Sequence, residues 1–384
     1  MHYNISRFEL CPRVGILGLI SKHPHRNYGG SAVSIARIAN SISELGFESY
    51  LFTRALSSEH FLKKYIYSQI IHKELTGHHR VVYGLQLLRF IYQYRMQVLI
   101  AFDSRACYLV SRLRFIMPSE LRVYAFFRNS LTNRWDYLKS GLPSDQQHRL
   151  QKIRANTDKI LANSHGLAVQ ISHLLDIDEN CVGVVPNGVI SNNFWHSSQE
   201  PIHHPWLLDQ KIPVILGVGR LSSQKDWPTL LKAFALLRSE KRCRLIILGE
   251  GEEREKLISL AHHLNIKEDV DFPGFVSNPL PWMKQASVFA LSSTYEGLPN
   301  VLIEAMALGT PAVATDCPFG PAEIIANLGN GLLVSVGDFQ GLSSALKQAL
   351  SQQWSQPCQE LLKKYESKSE IDTLLSLLNL SCSH

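Results

Sequence analysis

Short apolar runs alternate with amphipathic stretches along this chain, and the whole alternation occurs twice. Val14–Ile20 (VGILGLI) reads as a buried strand. A loop, Ser21–Gly30, ends in Gly29-Gly30. Ser31–Leu45 then places apolar residues at 32, 35, 36, 38, 39, 42 and 45, a helical period that stops at Gly46. Ser49–Thr53 reads as the next strand. Strand, glycine loop, helix, strand is the unit of doubly wound sheets. Further strands are expected at Val98–Phe102, Arg122–Phe127, Lys159–Ala162 and Val182–Val185. Phe61–Tyr94, rich in Tyr, Phe, Leu, Lys and Arg, reads as one or two helices.

Ser191–Lys211 is polar and irregular and reads as a linker. The alternation then restarts. Strands are expected at Val214–Val218, Arg244–Leu248, Val270–Phe272, Val288–Leu291, Pro311–Ala314 and Gly331–Val334. Helices fall at Trp227–Arg238, Glu252–Leu264, Pro279–Gln285, Asn300–Ala307 and Phe339–Gln352, and Gln359–Leu380 is helical by pattern. The fold class is therefore α/β, with two Rossmann-like, doubly wound domains facing each other across a cleft. The expected divisions are 1–190, a linker at 191–211, a second domain at 212–352 and a helical segment at 353–384. Ligands of such sheets bind outside the strand carboxyl ends, so the cleft is the expected site.

Charge divides with the domains. The net charge is +6, but residues 1–190 hold 23 Lys/Arg against 13 Asp/Glu, and residues 191–384 hold 16 against 20. The first half thus suits an anionic partner, and no nucleic-acid motif accompanies the charge. An anionic membrane surface or a lipid phosphate fits it. No apolar run reaches the ~18 residues of a membrane span, and no signal peptide is read. Seven cysteines are scattered without a C-x-x-C, which signals neither a zinc nor a dithiol site and places the chain in the cytoplasm. Cys243 reads as a core thiol beside an apolar run. His78-His79 and His262-His263 read as exposed residues, not metal ligands.

Two segments of the second half bear chemistry. Gly217-Val218-Gly219-Arg220-Leu221…Lys225 follows its first strand. Glycines let a backbone approach a ligand, Arg220 offers a planar fork to phosphate oxygens, and Lys225 adds a point charge. Glu296-Gly297-Leu298-Pro299-Asn300 precedes a helix that bears Glu304, eight residues after Glu296. A helix start presents unpaired N–H groups to a phosphate, and Pro299 suits the first turn. Glu304, about one turn on, is placed to accept hydrogen bonds from a ribose diol, and Glu296 lies near a sugar hydroxyl or developing positive charge. In the first half, Gly29-Gly30-Ser31 opens a helix, and Pro186-Asn187-Gly188-Val189 reads as a turn at the domain exit.

With these residues the chain resembles the retaining glycosyltransferases of family 4, which have the GT-B fold. Further segments occur in the family's order: Leu248-Gly249-Glu250-Gly251, Pro273-Gly274-Phe275, Ala307–Val313 and Gly320-Pro321-Ala322-Glu323, with Asn163-Ser164 in the first half. The resemblance implies a nucleotide-sugar donor, a UDP-sugar, held mainly by the second domain. Arg220 and Lys225 would bind its diphosphate and Glu304 its ribose. Gly274 and Phe275 would lie near the base. Glu296, with the backbone of Gly297, Leu298, Pro299 and Asn300, would hold the sugar and phosphate. Gly30 would let the first domain approach the phosphate. No metal and no cofactor is implied.

Many family members carry a His after the strand matching Arg122–Phe127; here the residues are Arg128 and Asn129, the candidates to replace it as the sugar-side catalytic contact. The Gly-Pro-x-Glu variant resembles surface-polysaccharide and lipid-linked oligosaccharide transferases, several with N-acetylhexosamine donors. The implied reaction is transfer to a glycan or lipid-linked acceptor for surface polysaccharide such as lipopolysaccharide, in the cytoplasm or peripherally on the inner membrane face. There Lys63-Lys64-Tyr65-Ile66-Tyr67 and Arg89-Phe90-Ile91-Tyr92 would meet anionic lipid. A nucleotide-sugar epimerase of the same fold and a non-catalytic sugar-nucleotide-binding protein are the competing readings.

Overall fold

Most of the apolar runs become strands buried on both faces, as in any parallel sheet covered by helices. The computed structural model describes residues 12–19, 30–54, 66–77, 80–132, 141–209 and 211–380. The first sheet has β1 (Arg13–Gly18), β2 (Glu48–Arg54), β3 (Ile71–Leu75), β4 (Val98–Phe102), β5 (Arg122–Phe127), β6 (Lys159–Ala162) and β7 (Val182–Val184). The second has β8 (Val214–Val218), β9 (Arg244–Leu248), β10 (Val270–Gly274), β11 (Val288–Leu291), β12 (Ala312–Thr315) and β13 (Gly331–Val334). All neighbours pair in parallel, in the orders β3-β2-β1-β4-β5-β6-β7 and β10-β9-β8-β11-β12-β13. In each sheet the winding reverses beside the first strand, at β1 and at β8. Such reversals open a crevice at the strand carboxyl ends.

Helices α1 (Gly30–Glu44), α2 (Arg80–Gln93), α3 (Asp103–Leu113), α4 (Ser144–Ala155) and α5 (His165–Leu175) belong to the first unit. Two short helices, α6 (Phe194–Ser197) and α7 (Pro205–Asp209), lie in the connection. The second unit has α8 (Trp227–Glu240), α9 (Arg254–His263), α10 (Leu280–Gln285), α11 (Asn300–Ala307), α12 (Pro321–Leu328) and α13 (Phe339–Ala349); α14 (Gln359–Leu362) and α15 (Ser367–Leu377) end the chain. The apolar stripe of α1 is buried through Ile35, Ile38, Ala39 and Ile42, and the helix yields to Gly46 at φ +87°. Cys243 is a buried free thiol, as expected. Among the described residues no helix is long and apolar enough to cross a membrane.

Three expectations change. The stretch expected to be helical throughout, Phe61–Tyr94, contains β3 as well as α2, and its residues 61–65, 78 and 79 lie outside the described residues. The sequence of β3 (IHKEL) gives no apolar run because β3 is an edge strand, mostly half-buried. The segment read as irregular, 191–211, has two helices, and Phe194, Ile202 and Leu207 are buried in the core of the second unit. The terminal helix breaks at Lys363–Tyr365 into a tight turn, and α15 crosses back to the first sheet. Ile371, Leu374, Leu375 and Leu378 pack there with Val14, Ile16 and Ile38, each burial contributing about 2 kcal/mol. The Arg122 guanidinium donates to the Leu378 carbonyl at 2.6 Å.

Candidate active site

The second unit's side of the cleft begins at the carboxyl ends of β8, β9 and β10. Gly219 N–H donates to the Leu248 carbonyl (2.9 Å) and Gly249 N–H to the Gly274 carbonyl (2.8 Å), which draws the three strand ends together. Gly249 sits at φ +142°, and a Cβ there would stand 1.9 Å from the Gly219 carbonyl oxygen, so only glycine fits. The loop after β8 is tied down by Trp227, whose indole N–H donates to the Arg220 carbonyl at 2.8 Å. The Arg220 side chain is exposed and makes no ion pair among the described residues. Lys225 folds back along Gly219, where a Cβ would meet its Cε at 3.0 Å. Gly274 (φ +91°) ends β10 beside Glu250, and the half-exposed Phe275 follows it on the same rim.

The second loop meets the first directly. The Lys225 ammonium lies 2.6 Å from Glu296 Oε1, and the Ser293 hydroxyl donates to the same oxygen at 2.6 Å. Gln224 donates through its side chain to the Tyr295 carbonyl (2.9 Å) and accepts Thr294 N–H at its own (2.8 Å). Glu296 is buried, at 6% exposure. Leu298 is buried beneath the turn, and Pro299 precedes α11 without capping it through a side chain. Leu302 and Ile303 N–H donate to the Pro299 carbonyl (3.1 and 3.4 Å), so the N–H groups of Asn300 and Val301 are the ones left for an anion, with the positive end of the helix behind them. Glu304 lies one turn on, half-buried, and burial pushes its carboxyl up to about 7 against the opposing pull of Arg37.

The first unit closes on this loop. Asn129 forms an antiparallel bridge with Gly297, and Ser130 N–H donates to the Glu296 carbonyl at 3.3 Å. A Cβ on Gly297 would stand 2.2 Å from the Arg128 carbonyl oxygen, so this approach requires glycine. Asn129 is exposed at the seam, whereas the Arg128 guanidinium is buried. It donates to Asn187 Oδ1, lies 3.6 Å from Glu370 Oε1 and stacks over Phe126. Burial lowers its pKa to about 10, against the pull of Glu370. Gly30 is the first residue of α1; Gly29 and the loop before it lie outside the described residues.

Asn187, expected to be part of a turn, is a hub. Its amide donates to the Leu298 carbonyl (3.1 Å) and to Asn300 Oδ1 (2.6 Å), while Asn163 donates to its oxygen at 3.3 Å. Asn300 in turn donates to the Ser34 hydroxyl of α1 at 3.4 Å. Glu323 accepts His165 N–H (3.2 Å) and pairs with Lys364 (3.0 Å), so the Gly-Pro-x-Glu segment is also a joint between the units. No motif in the sequence marks Ser34, Arg37, Gln224, Ser293 or Glu370. They are isolated polar residues within apolar or loop stretches, and only the folded contacts give them a place.

Two families divide the chain along the same seam. A Glycosyltransferase Family 4 model matches residues 28–192, and a Glycosyl transferases group 1 model matches residues 198–370. Together the two glycosyltransferase models span most of the chain. Among curated relatives of this chain, a 4-alpha-N-acetylgalactosaminyltransferase of Campylobacter jejuni, named for a diphospho-undecaprenol-linked acceptor, is 32% identical over 55% of this chain and 57% of its own length. The lipopolysaccharide core biosynthesis glycosyltransferase LpsE of Rhizobium meliloti is 33% identical over 54% of this chain and 58% of its own. The match thus spans somewhat over half the length of these relatives. Among solved structures, HepE of Anabaena in complex with UDP-glucose superposes with a TM-score of 0.76 over 96% of this chain and 99% of that one, at 17% identity. The apo lipopolysaccharide outer core galactosyltransferase WaaB gives 0.69 over 95% and 99%, at 20% identity. The fold of this chain is GT-B, as expected.

Proposed function

We propose that this chain moves a sugar, with its anomeric configuration retained, from a UDP-sugar to a glycan or lipid-linked acceptor in surface-polysaccharide synthesis. The observation that carries the reading is the convergence of Arg220, the Lys225–Glu296 pair and the open start of α11 at one rim facing the first unit. Two cations and a helix terminus suit a leaving diphosphate, and a carboxylate beside them suits sugar hydroxyls. The Anabaena neighbour was solved with UDP-glucose, and the Campylobacter relative is named for an N-acetylgalactosaminyl transfer to a lipid-linked acceptor. An N-acetylhexosamine is therefore the donor sugar proposed.

In this reading Arg220 and Lys225 hold the diphosphate, and Glu304 accepts from the ribose. Gly274 and Phe275 flank the base. Glu296 and the Gly297–Asn300 backbone orient the sugar, with exposed Asn129 on its far side. Arg128, committed to Asn187 and Glu370, is a positioning residue. Gly30 brings the start of α1 toward the phosphates. The barrier falls by positioning and by charge placed where charge develops, and the reaction requires no metal or cofactor.

The acceptor side is proposed to rest on an anionic inner membrane face. In support, α2 exposes Val81, Leu85 and Tyr92 along one stripe with Arg89 between them, and contains no acidic residue. Phe115, at 84% exposure, sits beside it, where the Tyr92 hydroxyl donates to the Ile116 carbonyl at 2.7 Å. Of the aromatic-basic stretch at 63–67, residues 63–65 lie outside the described residues. Thermal-shift screening against UDP-sugars tests the donor, because a bound ligand stabilises the fold by mass action. Stabilisation by one UDP-sugar is expected; none from the whole set contradicts the reading.

A further inference from the structure

Helix α1 of the first unit and helix α11 of the second face each other with matching chemistry. Ser34 meets Asn300 at the start of α11. One turn further along α1 stands Arg37, and one turn further along α11 stands Glu304. The Arg37 guanidinium reaches back to the Ser34 hydroxyl at 3.4 Å and pairs with Glu370 of α15 at 3.4 Å. Its Nε–H is buried and makes no hydrogen bond. Glu370, at 1% exposure, is shared with Arg128 on its other oxygen. Three segments remote in sequence thus place one cation across the cleft from the carboxylate assigned to the ribose.

We propose that Arg37 is a positioning residue of the donor site, supplied across the cleft by the first unit, which keeps Glu304 charged for the ribose diol, and that Glu370 fixes Arg37 in that role. The inference rests on the reading of Glu304 as the ribose acceptor. A carboxylate accepts from both hydroxyls of a diol; a protonated one donates from one oxygen and clashes with a donor there. Burial favours the protonated form of Glu304, and Arg37 is the charge that opposes it. The other elements packed on α11 bring few charges: α10 carries Lys284, α12 carries Glu323 already paired with Lys364, and β11 and β12 carry none. Beyond Arg37 stand Glu370 and Arg128, paired with each other. Donor recognition is therefore complete only when the two units are together, which links nucleotide binding to cleft closure.

The experiment compares UDP with 2′-deoxy-UDP by calorimetric titration from pH 5.5 to 8.5, on wild type, Arg37→Gln, Arg37→Met and Glu304→Gln. Wild type is expected to prefer UDP about tenfold at pH 8, the size of one charge-assisted hydrogen bond, and to lose that preference on acidification. Glu304→Gln is expected to bring the preference within about threefold at every pH. Arg37→Gln and Arg37→Met are expected to move the acidic loss of preference to higher pH. In both, Glu370 keeps Arg128 as its partner, which preserves the fold, and the two variants check each other. A preference that survives Glu304→Gln defeats the ribose reading and the inference with it. A preference lost in Glu304→Gln but titrating at the wild-type pH in both Arg37 variants defeats the inference alone.

Discussion

The Lys225 ammonium and Glu296 Oε1 lie 2.6 Å apart, with side chains only 14% and 8% exposed. The cation assigned to the diphosphate and the carboxylate assigned to the sugar thus neutralise each other before any donor arrives. The pair is preorganised, because Ser293 holds the same carboxylate oxygen and Ser292 donates to the Lys225 carbonyl. In the proposed reading, a diphosphate entering beside Lys225 would compete with Glu296 for the ammonium and free carboxylate capacity for sugar hydroxyls.

Removing one member of such a buried pair leaves the other charge without its partner. Lys225→Ala is expected to destabilise the fold by about 3 kcal/mol. It should also weaken UDP binding. Urea unfolding and calorimetric titration measure the two effects, and an unchanged unfolding midpoint would show that the pair has no structural role.

Arg220 behaves differently because it is exposed and unpaired among the described residues. Arg220→Ala should leave the melting temperature within about a degree, since surface changes of this kind stay within about 0.5 kcal/mol. UDP affinity should nevertheless fall roughly tenfold or more, the loss of one charge-assisted contact. Equal affinity in the variant would remove Arg220 from the diphosphate site.

Gly297 sets the spacing of the two units. Gly297→Ala places a methyl group 2.2 Å from the Arg128 carbonyl carbon's oxygen and forces the bridge at Asn129 to open. A loss of about 1–3 kcal/mol in stability is expected, typical of overpacking. Turnover should fall more than donor affinity, since the proposed donor contacts belong mostly to the second unit. A variant with native stability and turnover would show that the seam tolerates a wider gap.

Much of the fold was legible in the sequence because parallel strands covered by helices are continuous apolar runs. Val98–Phe102, Arg122–Phe127 and Val288–Leu291 fall where those runs lie. The edge strand β3 was not legible, since Ile71–Leu75 is mostly half-buried and shows no such run. The apolar period of α15 was visible, but nothing local says which sheet it covers. In the site, the glycines and the Glu296…Glu304 spacing stand out as motifs. Arg37 and Glu370 do not, because each is a single polar residue and the pair lies 333 residues apart in sequence; Asn187 stands in a visible Pro-Asn-Gly-Val turn, but nothing local reveals its bond to Leu298 111 residues on.

Burial raises the Glu304 carboxyl to about 7, which has a sign in stability. The folded state holds this proton more tightly than the unfolded chain does. Its contribution is therefore full below the ordinary carboxylate range and is lost as pH rises through about 7. Glu304→Gln removes that loss. The variant should melt higher than wild type at pH 8, and the gap should close at pH 5. A gap that is the same at both pH values would mean that Glu304 does not titrate in this range. Asp103, also raised by burial, to about 6, is unchanged in both proteins and cancels in the comparison.

The central claim is tested most directly by following UDP release from a UDP-N-acetylhexosamine with and without an undecaprenyl-diphosphate-linked sugar acceptor, with the lipid product identified by mass spectrometry. UDP release that depends on the acceptor, with one hexosamine added to the lipid in the anomeric configuration of the donor, is the predicted result. An epimerised nucleotide sugar formed without acceptor, or a donor bound and never turned over with any acceptor supplied, would contradict it.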